Sequence, residues 1–385
     1  MPISVSRGCL PTIFIGAWIL TGGAARAQEV AISRDPSPHS ARFVTVEANV
    51  QVEVLEWGGS GRPLVLLAGA GNTAHVFDEF APRLASVGRV YGITRRGYGA
   101  SSAPAAGYSV DRLGTDVLEV LDALALERPV LIGHSIAGQE LSFLATNYPK
   151  RLAGVVYLDG GYRYALHRPG AHDNLKDLRR KLELLEAELN GPPLTPSQLS
   201  AAIRSVLGDT LDEFQQDLRE LMTAPEARPI SPQAATPADL KDLAAYRAWS
   251  ARVFGYALPE GELMATRTIE ANGSVGSGKS SPEIGRMIQA GGQRFTTIPI
   301  PTLAIFASPH DQGPWTRNDP AARETFGAFA RFDEAMTERQ AAWMERRVTG
   351  ARVVRLRNAH HYLFITHAPE VQQEIAAFVK GLSGP

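Results

Sequence analysis

The order of apolar and amphipathic runs between residues 63 and 161 restricts this chain to few architectures. Four continuous apolar runs, PLVLLAGA, RVYGITR, RPVLIGHS and LAGVVYLDGG, are separated by AHVFDEFAPRLAS, LGTDVLEVLDALA and AGQELSFLATNYP, which carry their apolar residues at helical spacing. A strand that is apolar throughout, rather than at alternate positions, is buried on both faces. Helices must then cover both sides of a parallel sheet, and the first half reads as a doubly wound α/β core. Ahead of it, the alternation in FVTVEANVQVEVLEW (residues 43–57) predicts a hairpin flanked by solvent.

From about residue 162 to 297 the sequence turns to polar helical stretches such as DNLKDLRRKLELLEAELN, broken by Pro-rich and Gly-rich segments. Strand-like runs return in PTLAIFAS and ARVVRLRN, each followed by a helical pattern. One sheet with a long insertion accounts for this order better than two independent domains. Residues 28–161 and 298–385 then form the sheet and its helices. Residues 162–297 form a helical cap lying as a lid over the C-terminal edge.

Composition narrows the function classes. The 385 residues are 44% hydrophobic and 21% charged, enough to bury a sizeable core, and the formal net charge is −1. Without a dense Lys/Arg run the chain lacks the electrostatic footprint for nucleic acid or an anionic membrane, so a small, largely uncharged molecule is the expected partner. Residues 1–27 combine Arg7, an apolar run that starts at Cys9 and the triplet Ala25-Arg26-Ala27, the pattern of a secretory signal peptide cut before Gln28. That run is too short to span a bilayer, so the mature chain is expected to be soluble and periplasmic or secreted. Cys9 is the only cysteine and leaves with the signal peptide. Disulfides, a thiolate nucleophile and cysteine metal sites are thereby excluded from the mature chain.

The stretch NGSVGSGKSS (residues 272–281) matches the phosphate-loop pattern through Gly273, Gly278, Lys279 and Ser280. A phosphate loop needs a buried strand before the first glycine and a helix beginning at the lysine, so that backbone N–H groups point at the phosphates. Here polar ATRTIEAN precedes the motif and Pro282 follows it. The segment is therefore read as a flexible Gly/Ser loop in the insertion, and the match as coincidence.

The chemistry concentrates where PVLIGHS runs into a helical pattern through Gly133-His134-Ser135-Ile136-Ala137-Gly138. This is the strand–turn–helix of a nucleophile elbow, G-x-S-x-G, with Ala137 in place of the last glycine. The turn demands nearly bare positions two before and two after the serine, which Gly133 and Ala137 supply. A serine needs a base to accept its proton. His361, in NAHHYLF beyond the last strand, is the candidate, with His360 as its competitor. The imidazole needs a carboxylate. Asp311, in PTLAIFASPHD, is the expected acid, and Asp159, in VVYLDGG, is the alternative. The oxyanion donors are expected to be the backbone N–H groups of Ile136 and of Ala70, the latter in the AGAG turn after the third strand. Tyr162, Tyr164 and Trp315 are candidate pocket walls. No cluster with metal-ligand spacing is visible, and adjacent His360 and His361 diverge rather than chelate, so neither metal nor cofactor is expected.

Taken together, the AGAG turn, RRGYGASSAP, GHSIAG, PTLAIFASPHD and NAHHYLF resemble the α/β-hydrolase fold superfamily over residues 44–382. The resemblance implies a mostly parallel sheet with a helical cap after strand six, and a Ser-Asp-His order at the strands' C-terminal edge. Departures from the pattern are Ala68, where many members have histidine, and Ala137. The resemblance further implies a serine hydrolase acting on a carboxylic ester. Lactone, amide or carbon–carbon hydrolysis and cofactor-free perhydrolysis use the same triad, and a slow-turnover ligand-binding protein is the rival from another class. Members that open epoxides or displace halide carry aspartate at the nucleophile position, where this chain has Ser135. If the phosphate-loop match is accidental, Mg-ATP leaves the melting temperature unchanged; a rise would restore the nucleotide reading.

Overall fold

The computed structural model describes residues 37–167, 183, 185–187, 189–203 and 232–382. The expected signal peptide at 1–27 lies outside the described residues, as does part of the 162–297 insertion.

The predicted hairpin is β1 (Ser40–Glu47) and β2 (Val50–Gly58), antiparallel, with Asn49 at φ +62° in the turn. The strands β3 (Pro63–Leu67), β4 (Arg89–Ile93), β5 (Val130–His134) and β6 (Gly154–Leu158) follow. Helix α1 (Val110–Ala123) precedes β5 and helix α2 (Gly138–Asn147) follows it. Leu113, Val117, Val120 and Leu121 lie on the buried face of α1, at the spacing that made it legible. AHVFDEFAPRLAS, expected as one helix, is instead a 3₁₀ turn, Ala74–Phe77, and a helical turn, Ala81–Leu84. Pro82 has no N–H to offer the carbonyl of Asp78, which breaks the run.

Between β6 and the next strand of the sheet lie α3 (Leu243–Phe254), α4 (Glu260–Thr266), a two-stranded ribbon of β7 (Arg267–Ile269) and β8 (Val275–Gly278), and α5 (Pro282–Ala290). Of the phosphate-loop letters, Gly273 lies in the ribbon's turn and Gly278 ends its second strand, with Lys279 and Ser280 just past it, so the stretch forms a hairpin rather than a loose loop. Lys279 gives its backbone N–H to Thr266 O and its Nζ to Met264 O, both at 2.8 Å, and the next helix starts only at Pro282. The helix start that would aim N–H groups at a phosphate is missing from that position.

The sheet resumes with β9 (Thr302–Ala307) and β10 (Ala351–Leu356), interleaved with the long helix α6 (Pro320–Arg347) and closed by α7 (Ala368–Gly381). Its eight strands are ordered β1-β2-β4-β3-β5-β6-β9-β10, parallel from β4 to β10. β5, β6 and β9 are buried at every residue, because successive side chains enter two separate cores. Leu131, Tyr157 and Phe306 face one, with Leu141 and Met344; Ile132, Leu158 and Ile305 face the other, with Phe77 and Phe364. Among the described residues, no helix is long and apolar enough to cross a membrane.

The chain reverses its direction of travel across the sheet between β4 and β5, opening a crevice at the carboxyl ends of β3 and β5. A buried ion pair fixes that crevice. Arg95, just after β4, donates to both carboxylate oxygens of Glu140 in α2 at 2.7 Å and to Ala68 O, past the end of β3, at 2.9 Å. Glu140→Ala would strand a buried guanidinium and should cost about 3–5 kcal/mol. Asp122→Ala, which breaks an exposed pair with Arg151, should cost less than about 1 kcal/mol. Urea midpoints of the two variants check the contrast.

Candidate active site

Five adjacent parallel strands, β3, β5, β6, β9 and β10, end on the same edge and bring distant residues together. Ser135 follows β5 at φ +53°, left-handed for a residue with a side chain, which is the strained geometry of a nucleophile elbow. The turn is as crowded as the sequence suggested. A Cβ added at Gly133 would lie 3.2 Å from the Ala137 Cβ, and one at Gly138 only 2.1 Å from Gly160 O. Gly138 is thus the position after the serine that must stay bare, while Ala137, fully buried, fits its methyl. The turn after β3 passes directly alongside: a Cβ at Gly69 would come within 3.2 Å of the Ser135 Cβ. That brings Ala70, exposed at the tip, and Ile136, half-buried behind the serine, to the same edge.

His361 lies in the loop after β10, and its Nδ1 is 2.6 Å from Asp159 Oδ2. A carboxylate only accepts, so Nδ1 carries the proton and Nε2 is left as the basic nitrogen. The loop is held to the elbow by His134, whose Nε2–H donates to His361 O at 3.1 Å and whose ring stands 4.5 Å from that of His361. Burial holds His134 well below the usual histidine range, and charge on His361 depresses it further, so it remains a neutral strut. His360 points elsewhere. Its ring packs on Tyr256 at 4.4 Å, and burial lowers its pKa to about 4.

The acid is where the structure departs from the expectation. Asp159, not Asp311, meets the histidine. Asp311 turns its Oδ1 back to Gly313 N at 2.9 Å and to Arg317, shaping its own loop. Asp159 follows β6 directly, in a left-handed conformation (φ +45°) that turns its side chain inward across the end of β9. Its Oδ1 accepts from Tyr162 Oη at 2.6 Å and Ala307 N at 3.0 Å, and its Oδ2 from His361 and from His310 Nε2 at 2.7 Å. Burial opposes its ionisation, but the hydrogen bonds from the two histidines hold the carboxyl far below the ordinary carboxylate range.

Of the candidate pocket walls, Tyr162 donates to Asp159, while Tyr164 packs against the core and burial pushes its ionisation up strongly. Trp315 packs on Phe326 and donates to Gln312 O. Sequence reading missed two groups. Glu262, fully buried in α4, accepts from Asn72 Nδ2 at 2.8 Å and from Thr73 N and Oγ1 at 3.2 and 2.5 Å, tying the insertion to the turn after β3. Burial raises its pKa to about 7. His310, one residue before the expected acid, is the other. The only sign of it was its place in SPHD, beside a residue already singled out.

Asp159, His310 and His361 lie within metal-ligand reach of one another, as do His39, His75 and Asp78. In the first group both histidine nitrogens point at one carboxylate oxygen; in the second, Asp78 takes His39 Nδ1 and His75 Nδ1 on separate oxygens, each at 3.1 Å. Both are imidazole–carboxylate chains rather than ligands converging on a vacant point.

With this geometry, Asp159→Asn should slow acylation of Ser135 by a fluorophosphonate by up to about 10⁴. Asp311→Asn should leave it within about tenfold, and the reverse order would return the role to Asp311.

A model of the alpha/beta hydrolase fold matches residues 62–368. Epoxide hydrolase 4 of Mus musculus is 32% identical over 146 residues, 35% of this chain and 39% of that protein. Fluoroacetate dehalogenase of a Burkholderia species is 35% identical over 107 residues, 26% of this chain and 35% of that protein. The chain thus spans less than half the length of these relatives. The crystal structure of E-2-(acetamidomethylene)succinate hydrolase superposes on 89% of this chain and 100% of its own with a TM-score of 0.53 at 16% identity, a likeness of fold. With its sheet order, its strained strand–serine–helix turn and a family match over most of its length, the chain belongs to the alpha/beta hydrolase fold family.

Proposed function

We propose that this chain is an exported serine hydrolase that cleaves a carboxylic ester of a small, largely uncharged molecule through an acyl-enzyme. The observation that carries the reading is the 2.6 Å pairing of His361 Nδ1 with buried Asp159, on the same sheet edge as a serine in the elbow conformation. Ser135 Oγ attacks the acyl carbon while His361 Nε2 takes its proton. Asp159 fixes the imidazole's tautomer and stabilises the imidazolium that forms. The N–H groups of Ile136 and Ala70 receive the oxyanion, each worth on the order of a hundredfold or more in rate. The alcohol leaves with the proton from His361, and water activated by the same nitrogen releases the acid.

The relatives named for epoxide opening and dehalogenation set a useful contrast. If a serine hydroxyl opened an epoxide or displaced halide, it would be left as an ether, which an activated water does not hydrolyse. An acyl group on serine is an ester, which it does. The nucleophile's identity therefore favours acyl substrates. Export rests on the apolar run and Ala-x-Ala triplet in residues 1–27. The helical segments at 162–297 are read as the cap that selects acyl and alcohol groups.

A series of p-nitrophenyl acyl esters, short to long, tests the reading on the chain from Gln28 beside its Ser135→Ala variant. Turnover should vanish in the variant with little change in melting temperature, and equal turnover by both would remove Ser135 from its role. Activity should fall toward acid pH as a histidine base is protonated; a profile flat from about pH 5 to 8 would argue against one.

A further inference from the structure

We propose that His310 and Asp333 form a charge-compensating dyad behind the triad, with His310 a positioning residue that draws part of the Asp159 charge away from His361 and so extends activity to lower pH. The inference rests on the Ser135–His361–Asp159 reading and deepens it.

The geometry is that of a chain of three carboxylate–imidazole contacts. His310 stands three residues past the end of β9, with Nε2 2.7 Å from Asp159 Oδ2 and Nδ1 2.5 Å from Asp333 Oδ2, which reaches in from α6. Carboxylate oxygens only accept, so both ring nitrogens must donate and the ring is an imidazolium. Burial disfavours that charge, but the two carboxylates overcome it and raise the pKa of His310 to about 10. The other groups facing it are the Tyr162 hydroxyl, 3.4 Å from Nε2, and the His361 ring, whose centre is 6.2 Å away. Tyr162 is neutral, since burial and the Asp159 charge push its ionisation up. His360 and Asp311 flank the same loops, His360 neutral and Asp311 turned to Gly313 and Arg317.

In a serine-hydrolase triad the carboxylate is what favours a cation on the histidine as the serine's proton arrives. Here a permanent cation already occupies the same oxygen that His361 uses. The Asp159 charge is shared between two rings, and protonation of His361 before substrate attack is held back. Two unit charges 6.2 Å apart, at an effective dielectric constant of about 20, correspond to a shift of about 1–2 pH units.

The test is the pH dependence of Ser135 labelling by a fluorophosphonate, and of p-nitrophenyl ester turnover, in the wild type, His310→Gln and Asp333→Asn, with Ser135→Ala as the blank. Asp333 is a quarter exposed, so its variant should fold. It keeps the His310 ring while removing the charge that holds its second proton. Expected is an upward move of the acid limb by about 1–2 pH units in His310→Gln and in the same direction, by less, in Asp333→Asn. A fall in rate by one factor at every pH, with the limb unmoved, would reduce the dyad to a structural support and overturn the proposal. If His310→Gln does not fold, the limb of Asp333→Asn decides alone. Wild-type protein whose labelling and turnover match Ser135→Ala would instead sink the triad reading and this inference with it, an outcome distinct from an unmoved limb.

Discussion

The Asp159 carboxylate is the point on which the active edge of this molecule depends. It is completely buried, where an unpaired carboxylate would cost several kcal/mol, and it persists as an anion because every direction around it supplies a donor. Each donor comes from a different element: a backbone N–H at the end of β9, a tyrosine after β6, a histidine in the loop toward α6 and the histidine of the loop after β10. One charge thus aligns two strand ends and two loops. The His361 imidazole inherits its tautomer and orientation from that arrangement.

The parallel sheet makes such convergence possible. Because β3, β5, β6, β9 and β10 run side by side in one direction, the residues that follow each of them emerge on one edge although they are far apart in sequence. Short-range ties then hold the edge in shape. Arg95 links the turn after β3 to the helix behind the elbow, Glu262 links that turn to the insertion, and Tyr362 Oη donates to Asn72 Oδ1 to link it to the histidine loop. These polar contacts are buried or partly buried and have few alternatives, so they hold the edge in one arrangement.

Much of the fold was legible because its signals are local. The continuous apolar strands, the alternation of the hairpin and the strand–serine–helix turn all lie within windows of a few residues. The elbow could be read from Gly133, Ser135 and Ala137, since steric crowding in a tight turn restricts residue type whatever surrounds it; that Gly138 must stay bare showed only against Gly160 O. AHVFDEFAPRLAS misled because its apolar spacing suits a helix while a single proline denies it a hydrogen bond. The phosphate-loop letters could be set aside because the strand and helix that would give them meaning are missing from their surroundings; only the reading of the segment as a loose loop gave way, to a hairpin.

What the sequence determined by itself was the class of sheet, the strand–serine–helix turn at Ser135 and the loop that carries His361, each a matter of periodicity or of a turn's steric demand. The choice between Asp159 and Asp311 belonged to the tertiary structure. Both follow a strand at the same edge, and their spacing along the chain favours neither; the left-handed backbone at Asp159 swings its carboxylate across the end of β9, while Asp311 folds back on Gly313. The pairing of His310 with Asp333 and the hold of Glu262 on the turn after β3 were likewise decided in three dimensions. Each joins residues that no local pattern relates, and a buried charge takes its partners from whatever packing brings within reach.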